Sequence, residues 1–533
     1  MPTSPRTSLG AVLATLALLS VPVLAVTSAG PAGAIAVTPG STASTGSSPS
    51  HPYTRAQATT ILQQVRDALK PSSSAQRRTG KPLPYRDLTM TLRDLGEALP
   101  SLSGSQRTQA QGFLARPTDG GDQVCDGGSG CPDPVISLTA NSTYATPDGH
   151  FLIHYTTLGS NAADPAWVED QVAPVLEHVW ATEVTAMHYR APLSDSATIS
   201  AIGGNPDGKM DVYLAELGED GLYGYTYSDT PQNRVEAPFL VLDNDFAVSQ
   251  FGAAPTRSLD VTVAHEFFHA IQFAYDAHQD TWLMEGTAVW MEDQVYPTIN
   301  DYLQYLPDSQ IVNPRTSVDS QADYNVYGSV TFWRYLSDRL KTQTIIQQVW
   351  NHAAVSDGNH NAIQAVTGAL AAHHRSFTSE FGQYGAWLTL PAGTYTDRSP
   401  MLSWLGAHRY SVGYWAAGTL TRHSPASKNL SVRLNHLSTA PLLLRAGASL
   451  SAKSRLKITV DGPNRSHGTQ ARVQIRYKSG RVIIYSVPLG ARGNGTKVLS
   501  FNHKKIASAV VTLTNASSGY NGQVFKVRGQ VIR

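Results

Sequence analysis

Cysteine is almost missing from this sequence: among 533 residues there are two, Cys125 and Cys131, at the ends of CDGGSGC. A disulfide-rich scaffold and a four-cysteine structural metal site are therefore excluded, and one local bridge across that Gly-rich turn is the expectation for an exported chain. The competing use of such a thiolate is to cap a metal in a latent enzyme, since thiolate binds zinc well. Apolar runs long enough to cross a membrane are missing as well, with one exception at the start. Arg6 is followed by a mostly apolar stretch from Leu9 to Val26 and then by Ala32, Gly33 and Ala34, the layout of a secretory signal peptide cut near Ala34. Gly10, Thr15, Ser20 and Pro22 dilute that stretch, which argues against a retained anchor. The protein is thus expected to be secreted, with no transmembrane segment in its mature form. Acidic residues are missing from the C-terminal quarter. Residues 401–533 hold 20 Lys and Arg against one acid, Asp461, whereas the part before them holds 21 basic and 39 acidic residues. The net charge of +1 conceals an acidic body and a tail of about +19.

What is present changes along the chain. Residues 36–50 are mostly Ser, Thr, Pro and Gly, with nothing to build a core, and read as a linker. From His51 the pattern is helical. Thr54 can cap a helix carrying Ile61, Leu62, Val65 and Leu69; a second helix places Leu88, Leu92, Leu95 and Leu99 on one face before Pro100; a third, after Ser103 or Ser105, ends at Phe113 and Leu114. The segment GHFLIHYTT alternates like a strand, 164–189 reads as a long helix, and MDVYLAEL and APFLVLD are further strands. Mostly helical sequence follows to about Leu390. Strands gathered first and helices afterwards argue for an α+β layout. Beyond Met401 the period is two, with short Val- and Ile-rich segments between Gly, Ser and Asn turns, which reads as an all-β sandwich.

The chemistry is concentrated in RSLDVTVAHEFFHAIQFAYD. Ser258 is a plausible cap, with Asp260 in the first turn where a carboxylate suits the helix dipole. His265 and His269 are four positions apart, so on a helix both imidazoles emerge on one face and reach one metal ion, with Glu266 beside them to act on water. A zinc peptidase needs a third protein ligand and an open coordination position. The metzincin pattern is excluded, because Gln272 and Tyr275 stand where it requires Gly and His. His278 would fall beyond the helix end. Glu285, opening a new helical pattern in TWLMEGTAVWMED, is better placed than Asp276 or Glu292, and Glu292, seven positions on, suits the role of orienting a histidine. In GGNPDGKMD, Asn205, Asp207 and Asp211 raise calcium as a second metal, but Gly208 and Lys209 break the EF-hand pattern, and a turn leading into a strand is the preferred reading.

HEFFHAIQFAYD followed by WLMEGTAVWMED resembles the thermolysin-like gluzincin superfamily of zinc metallopeptidases, in particular its secreted bacterial members. FLIHYTT, DGKMDVYLAEL, GYTY and APFLVLDND extend the likeness outward, and DLTMTLRDLGEALPSLSG with ARPTDGG resembles the pro-regions of such proteins. The resemblance implies one catalytic Zn2+ held by His265, His269 and Glu285, Glu266 as general base, and an oxyanion donor in YNVYGSVTFWRYL. Tyr327 and Tyr324 both qualify for that last role, with Tyr327 preferred. It also implies that a peptide or protein substrate binds as an added strand, for which APFLVLD is the nominated sheet edge, an ordinary buried strand being its alternative.

The expected organisation is a signal peptide over 1–34, a linker over 35–50, a helical pro-region and Cys-containing junction over 51–134, a thermolysin-like catalytic domain over 135–395, and a basic β-sandwich over 396–533. The expected activity is secreted zinc-dependent endopeptidase. Two other readings stand beside it: a cell-surface or polyanion-binding protein with a non-proteolytic metallopeptidase-like domain, and a zinc amidase acting on cell-wall peptides. The basic tail suits an anionic cell-wall polymer or polysaccharide, or the acidic body itself, and no motif for sequence-specific nucleic-acid recognition is present.

Overall fold

The computed structural model describes residues 53–69, 88–119, 134–138, 141–194, 207–228 and 233–533. The signal, the linker, both cysteines and Asn205 lie outside them. Among the described residues no helix is long and apolar enough to cross a membrane. The architecture is mixed helix and sheet, α+β in its gross organisation.

Three N-terminal helices form where the caps predict. α1 (Arg55–Ala68) starts at a capping box between Thr54 and Gln57, and α3 (Gly104–Leu114) at another between Ser103 and Gln106. Between them, α2 (Thr89–Ala98) has no side-chain cap of its own.

The sheet that follows has the order β1-β2-β3-β5-β4, from β1 (Ser142–Ala145), β2 (Phe151–Tyr155), β3 (Met210–Ala215), β4 (Gly224–Ser228) and β5 (Pro238–Asp243). β2, β3 and β5 run parallel; β1 and β4 flank them antiparallel. Both faces are covered, as an uninterrupted apolar run such as FLVL requires. One face sends Phe151, Ile153, Val212, Leu214, Leu240 and Leu242 into the main core, against α4, the helical run over 165–186, and the long α5 (Pro255–Asp276). The other sends Tyr213, Tyr225, Tyr227, Phe239 and Val241 into a second core with Leu62, Leu92 and Leu95 of α1 and α2. The N-terminal helices are therefore a third layer of the same body, fastened also by Arg116, which ion-pairs with Asp211 and donates to the Tyr213 hydroxyl at 2.9 Å.

Strand order corrects one expectation. APFLVLD is not an edge: β5 is hydrogen-bonded on both sides, and the edge on this side is β4. Run length could place the strand but not its neighbours, although its unbroken apolar character was the sign of an interior position.

Helices α6 (Thr281–Val295), α7 (Val330–Leu340), α8 (Thr344–Ala353), α9 (Ala362–Ala372), α10 (Phe377–Trp387) and α11 (Arg398–Ala407) complete the helical part. α11 buries Met401 and Leu405 in the main core, and the first sandwich strand begins only at Ala416. The strands of the sandwich thus begin twenty residues after the expected boundary at 396, because α11 is amphipathic and belongs to the helical side. The sandwich pairs a five-stranded sheet with a four-stranded one around a core of its own. α10 lies on the outer face of the five-stranded sheet, where Arg472 donates to the Ser379 carbonyl at 3.0 Å and Arg476 to that of Thr389 at 2.9 Å.

Candidate metal centre

α5 opens at Pro255, not at Ser258. Proline in the first turn lacks only an N–H that would have no helical partner, while Ser258 and the residues after it are largely buried. The 22-residue helix runs beneath the sheet and brings His265, Glu266 and His269 to its centre, at 6%, 1% and 0% exposure. A four-residue connection reverses the chain into α6, and Glu285, 2% exposed, returns to face both rings. Gly286 makes that approach possible. A Cβ there would lie 2.1 Å from Ser329 Oγ and 2.3 Å from Trp333 Nε1.

Three atoms converge. His265 Nε2 and His269 Nε2 are 3.1 Å apart, and Glu285 Oε2 is 3.3 Å from the first and 3.6 Å from the second. Zinc bonded to N and O at ~2.0–2.2 Å in a tetrahedral array separates its ligands by roughly 3.3 Å, so the three donors fit that ion. They are the only such cluster of three or more His, Cys, Asp or Glu side chains among the described residues. Protonation supports the same conclusion. His269 Nδ1 is 2.7 Å from Gln272 Oε1, whose own amide nitrogen donates to Met284 O (2.9 Å) and Thr287 Oγ1 (3.1 Å). His265 Nδ1 is 2.8 Å from Glu292 Oε1. Both partners are acceptors, so each neutral ring carries its proton on Nδ1 and turns an Nε2 lone pair toward the other ring. Two lone pairs and a carboxylate oxygen then face one point, an arrangement that can hold a cation. The field is felt by His269: burial pushes its pKa down, but the Glu285 carboxylate outweighs burial and the net shift is upward.

Glu266 does not point into open space. Its Oε2 accepts from Thr89 Oγ1 at 3.0 Å and lies 2.9 Å from Thr226 Oγ1, while Thr89 Oγ1 itself accepts from the Thr226 main-chain N–H at 2.9 Å. The remaining space beside His265 and Glu266 is about 10 Å³, lined also by Tyr223, Thr262, Glu292, Tyr305 and Tyr327. Tyr327 comes to the site, its ring centroid 6.2 Å from that of His265, and stacks on Tyr305 at 5.0 Å. Tyr324 packs behind them, 6.0 Å from Tyr327, and does not line the space.

His278 and Asp276 lie elsewhere: His278 sits between Glu97 and Glu236, 3.4 Å from each, and Asp276 pairs with Arg234. The described carboxylates of the calcium candidate are also engaged, Asp207 with Lys209 and Asp211 with Arg116 and His154. Sequence reasoning anticipated Glu292 but missed Gln272, Thr89, Thr226 and Tyr305. A glutamine three positions after the second histidine, on the same helix face, was the available sign for the first; contacts across distant segments left none for the others.

Residues 242–386, which contain α5, α6 and the turn bearing Tyr327, match the family described as "Family of unknown function (DUF6055)". No curated protein matches the chain. Among solved structures, one described as a novel family GH115 4-O-methyl-α-glucuronidase with specificity for decorated arabinogalactans is similar at 7% identity and a TM-score of 0.15, over 52% of this chain. The likeness spans 38% of that structure's chain, and a TM-score so low bears on neither fold nor chemistry here.

Proposed function

We propose that this protein is a secreted zinc-dependent endopeptidase of the thermolysin-like gluzincin type. The observation that carries the reading is the convergence of His265 Nε2, His269 Nε2 and Glu285 Oε2 within 3.1–3.6 Å of one another, with Glu266 next in the chain to the first ligand. These three atoms would hold a zinc ion, and the chemistry it would supply is Lewis-acid polarisation of the scissile carbonyl. Glu266 takes a proton from the attacking water and returns it to the leaving amine. Tyr327 is the donor for the oxyanion. Gln272 and Glu292 keep the two rings in the tautomer that leaves Nε2 free. β4, the edge strand nearest Glu266, offers its main chain to an extended peptide.

A second role concerns location. On the outer face of the four-stranded sheet, Arg455 and Lys457 of one strand, Lys526 and Arg528 of the next and Arg433 of a third are all exposed, with Lys457 opposite Gln530 and Arg528 opposite Thr459, one outward position along. Asp461, the single acid, pairs with Lys526 at 3.6 Å. This face suits an anionic polysaccharide that would hold the enzyme near its substrate.

The test is zinc content and casein cleavage by the full chain and by Glu266→Ala, each with and without Thr89→Val to clear the carboxylate. One zinc per chain in all four proteins is expected, with cleavage lost roughly 10²–10⁴-fold in the Glu266→Ala forms. Zinc binding without cleavage in any of them would refute proteolysis and favour a non-proteolytic or cell-wall amidase reading.

A further inference from the structure

Resting on the peptidase reading, we propose that the first turn of α2 is a built-in plug, in which the Thr89 hydroxyl holds both the general base and the edge-strand donor that a substrate main chain must reach. Thr89 Oγ1 donates to Glu266 Oε2 and accepts from the Thr226 N–H. Thr226 lies at the middle of β4, whose other side is taken by β5. An extended peptide adding to this edge would need that N–H, and hydrolysis would need that carboxylate; one side chain occupies both.

α2 also has a plain structural role. Sheet edges are commonly covered by helices, and Arg93 ties α2 down by donating to the Gln279 carbonyl at 3.0 Å, just beyond the end of α5. Covering an edge calls for apolar contact, which Leu92 and Leu95 provide. It does not call for an uncapped helix start whose first hydroxyl is spent on the carboxylate of an HExxH motif. The space left at the site, about 10 Å³, is room for about one water, whereas ligand sites commonly offer about 300–1,000 Å³. As folded, the centre is latent.

Nor is the layer that carries the plug easily shed. Its removal would strip cover from Tyr213, Tyr225, Tyr227, Phe239 and Val241, all buried against α1 and α2. The opening motion is therefore a displacement of the turn at Leu88, Thr89 and Met90, with α1, α3 and the Arg116 anchor staying in place.

A small peptide hydroxamate, which chelates zinc and extends along an edge strand, reports access without requiring turnover. In the zinc-loaded full chain, Thr89→Val should bind it about tenfold more tightly than the parent, since a buried pair of hydrogen bonds that favours the closed form is lost. Thr89→Ser, which keeps the hydroxyl, should behave as the parent does. Equal affinity in all three at equal zinc content would overturn the plug. The parent supplies a check that needs no variant: saturating hydroxamate should speed hydrogen exchange of the Leu92 N–H, which donates to the Leu88 carbonyl at 2.8 Å in the closed form. Unchanged exchange there with the hydroxamate bound would also overturn it. Tighter binding by Thr89→Val without any casein cleavage would instead sink the peptidase reading and leave the plug standing.

Discussion

Gln272 Oε1 accepts from His269 Nδ1 at 2.7 Å, and the two residues lie one turn apart on the same helix. The amide is held in turn by Met284 O and Thr287 Oγ1, so α5 and α6 are coupled through the side chain that orients a ligand. Replacing it by Gln272→Leu frees the ring to rotate and to change tautomer. Zinc affinity should fall about 10–100-fold, as for other partners of metal-bound histidines, when measured by competition with a chromophoric chelator. Glu292→Gln should act in the same direction through His265. Unaltered affinity in both would show that the rings are held by packing alone.

Gly286 follows Glu285, the third ligand in the proposed site, because α6 presses there on the residues that begin α7. A methyl group would overlap Ser329 Oγ and Trp333 Nε1, both of which bond the Trp282 carbonyl. Gly286→Ala is expected to destabilise the chain by about 1–3 kcal/mol, as overpacking does. Glu285 should be displaced with the helix, so weaker zinc binding should accompany the lower melting temperature. A variant with parental melting and zinc affinity would contradict this packing.

How much of this was legible beforehand follows from distance along the chain. His265, Glu266, His269, Glu285 and Glu292 lie within 28 positions on two helices, and helical periodicity alone predicts which of them share a face. The caps of α1 and α3 were equally local. Thr89 and Glu266 are 177 positions apart, and no periodicity links them. Strand order failed for the same reason: whether β5 or β4 forms the edge depends on pairings that each strand's own pattern does not encode. The expected boundary at 396 lies ahead of the first strand because charge balance shifts at Met401, inside α11, and the alternation read from that point on passed over the helix.

His278 offers a pH dependence. It stands between Glu97 on α2 and Glu236 before β5, with Arg93 the nearest cation. Burial opposes its protonation, but the carboxylates of Glu236 and Glu97 prevail and its pKa is raised above the ordinary value of 6.5. Burial also raises both carboxyls. All three groups hold protons more tightly in the folded chain, so each loses stabilisation as pH rises. The histidine's share is fully present below about 6.5 and disappears as pH climbs through its raised value. The docking of α2 should therefore loosen between neutral and alkaline pH, seen as faster tryptic cleavage at Arg93. His278→Gln should flatten that dependence; a profile identical to the parent's would exclude the histidine as its source.

The basic sandwich can be tested face by face, because the outward side chains of the four-stranded sheet are separated from those that dock on α10. Lys457 and Arg528 alternate with the buried Ile458 and Val527, so reversing their charge changes the outer surface and leaves the sandwich core alone. Arg472 points the opposite way, into the contact with Ser379, and serves as the control. If the outer face grips an anionic polysaccharide, the Lys457→Glu, Arg528→Glu double variant should elute from immobilised heparin at clearly lower salt than the parent, because exposed charge interactions are screened within about 10 Å at 0.1 M ionic strength. Arg472→Gln should elute with the parent provided it remains folded. Cleavage of a small soluble peptide should be equal in parent and double variant, since neither residue approaches the metal centre, whereas cleavage of a substrate embedded in an anionic matrix should fall. Elution of the double variant at the parental salt concentration would assign the charge of about +19 to solubility and remove the tether from the account.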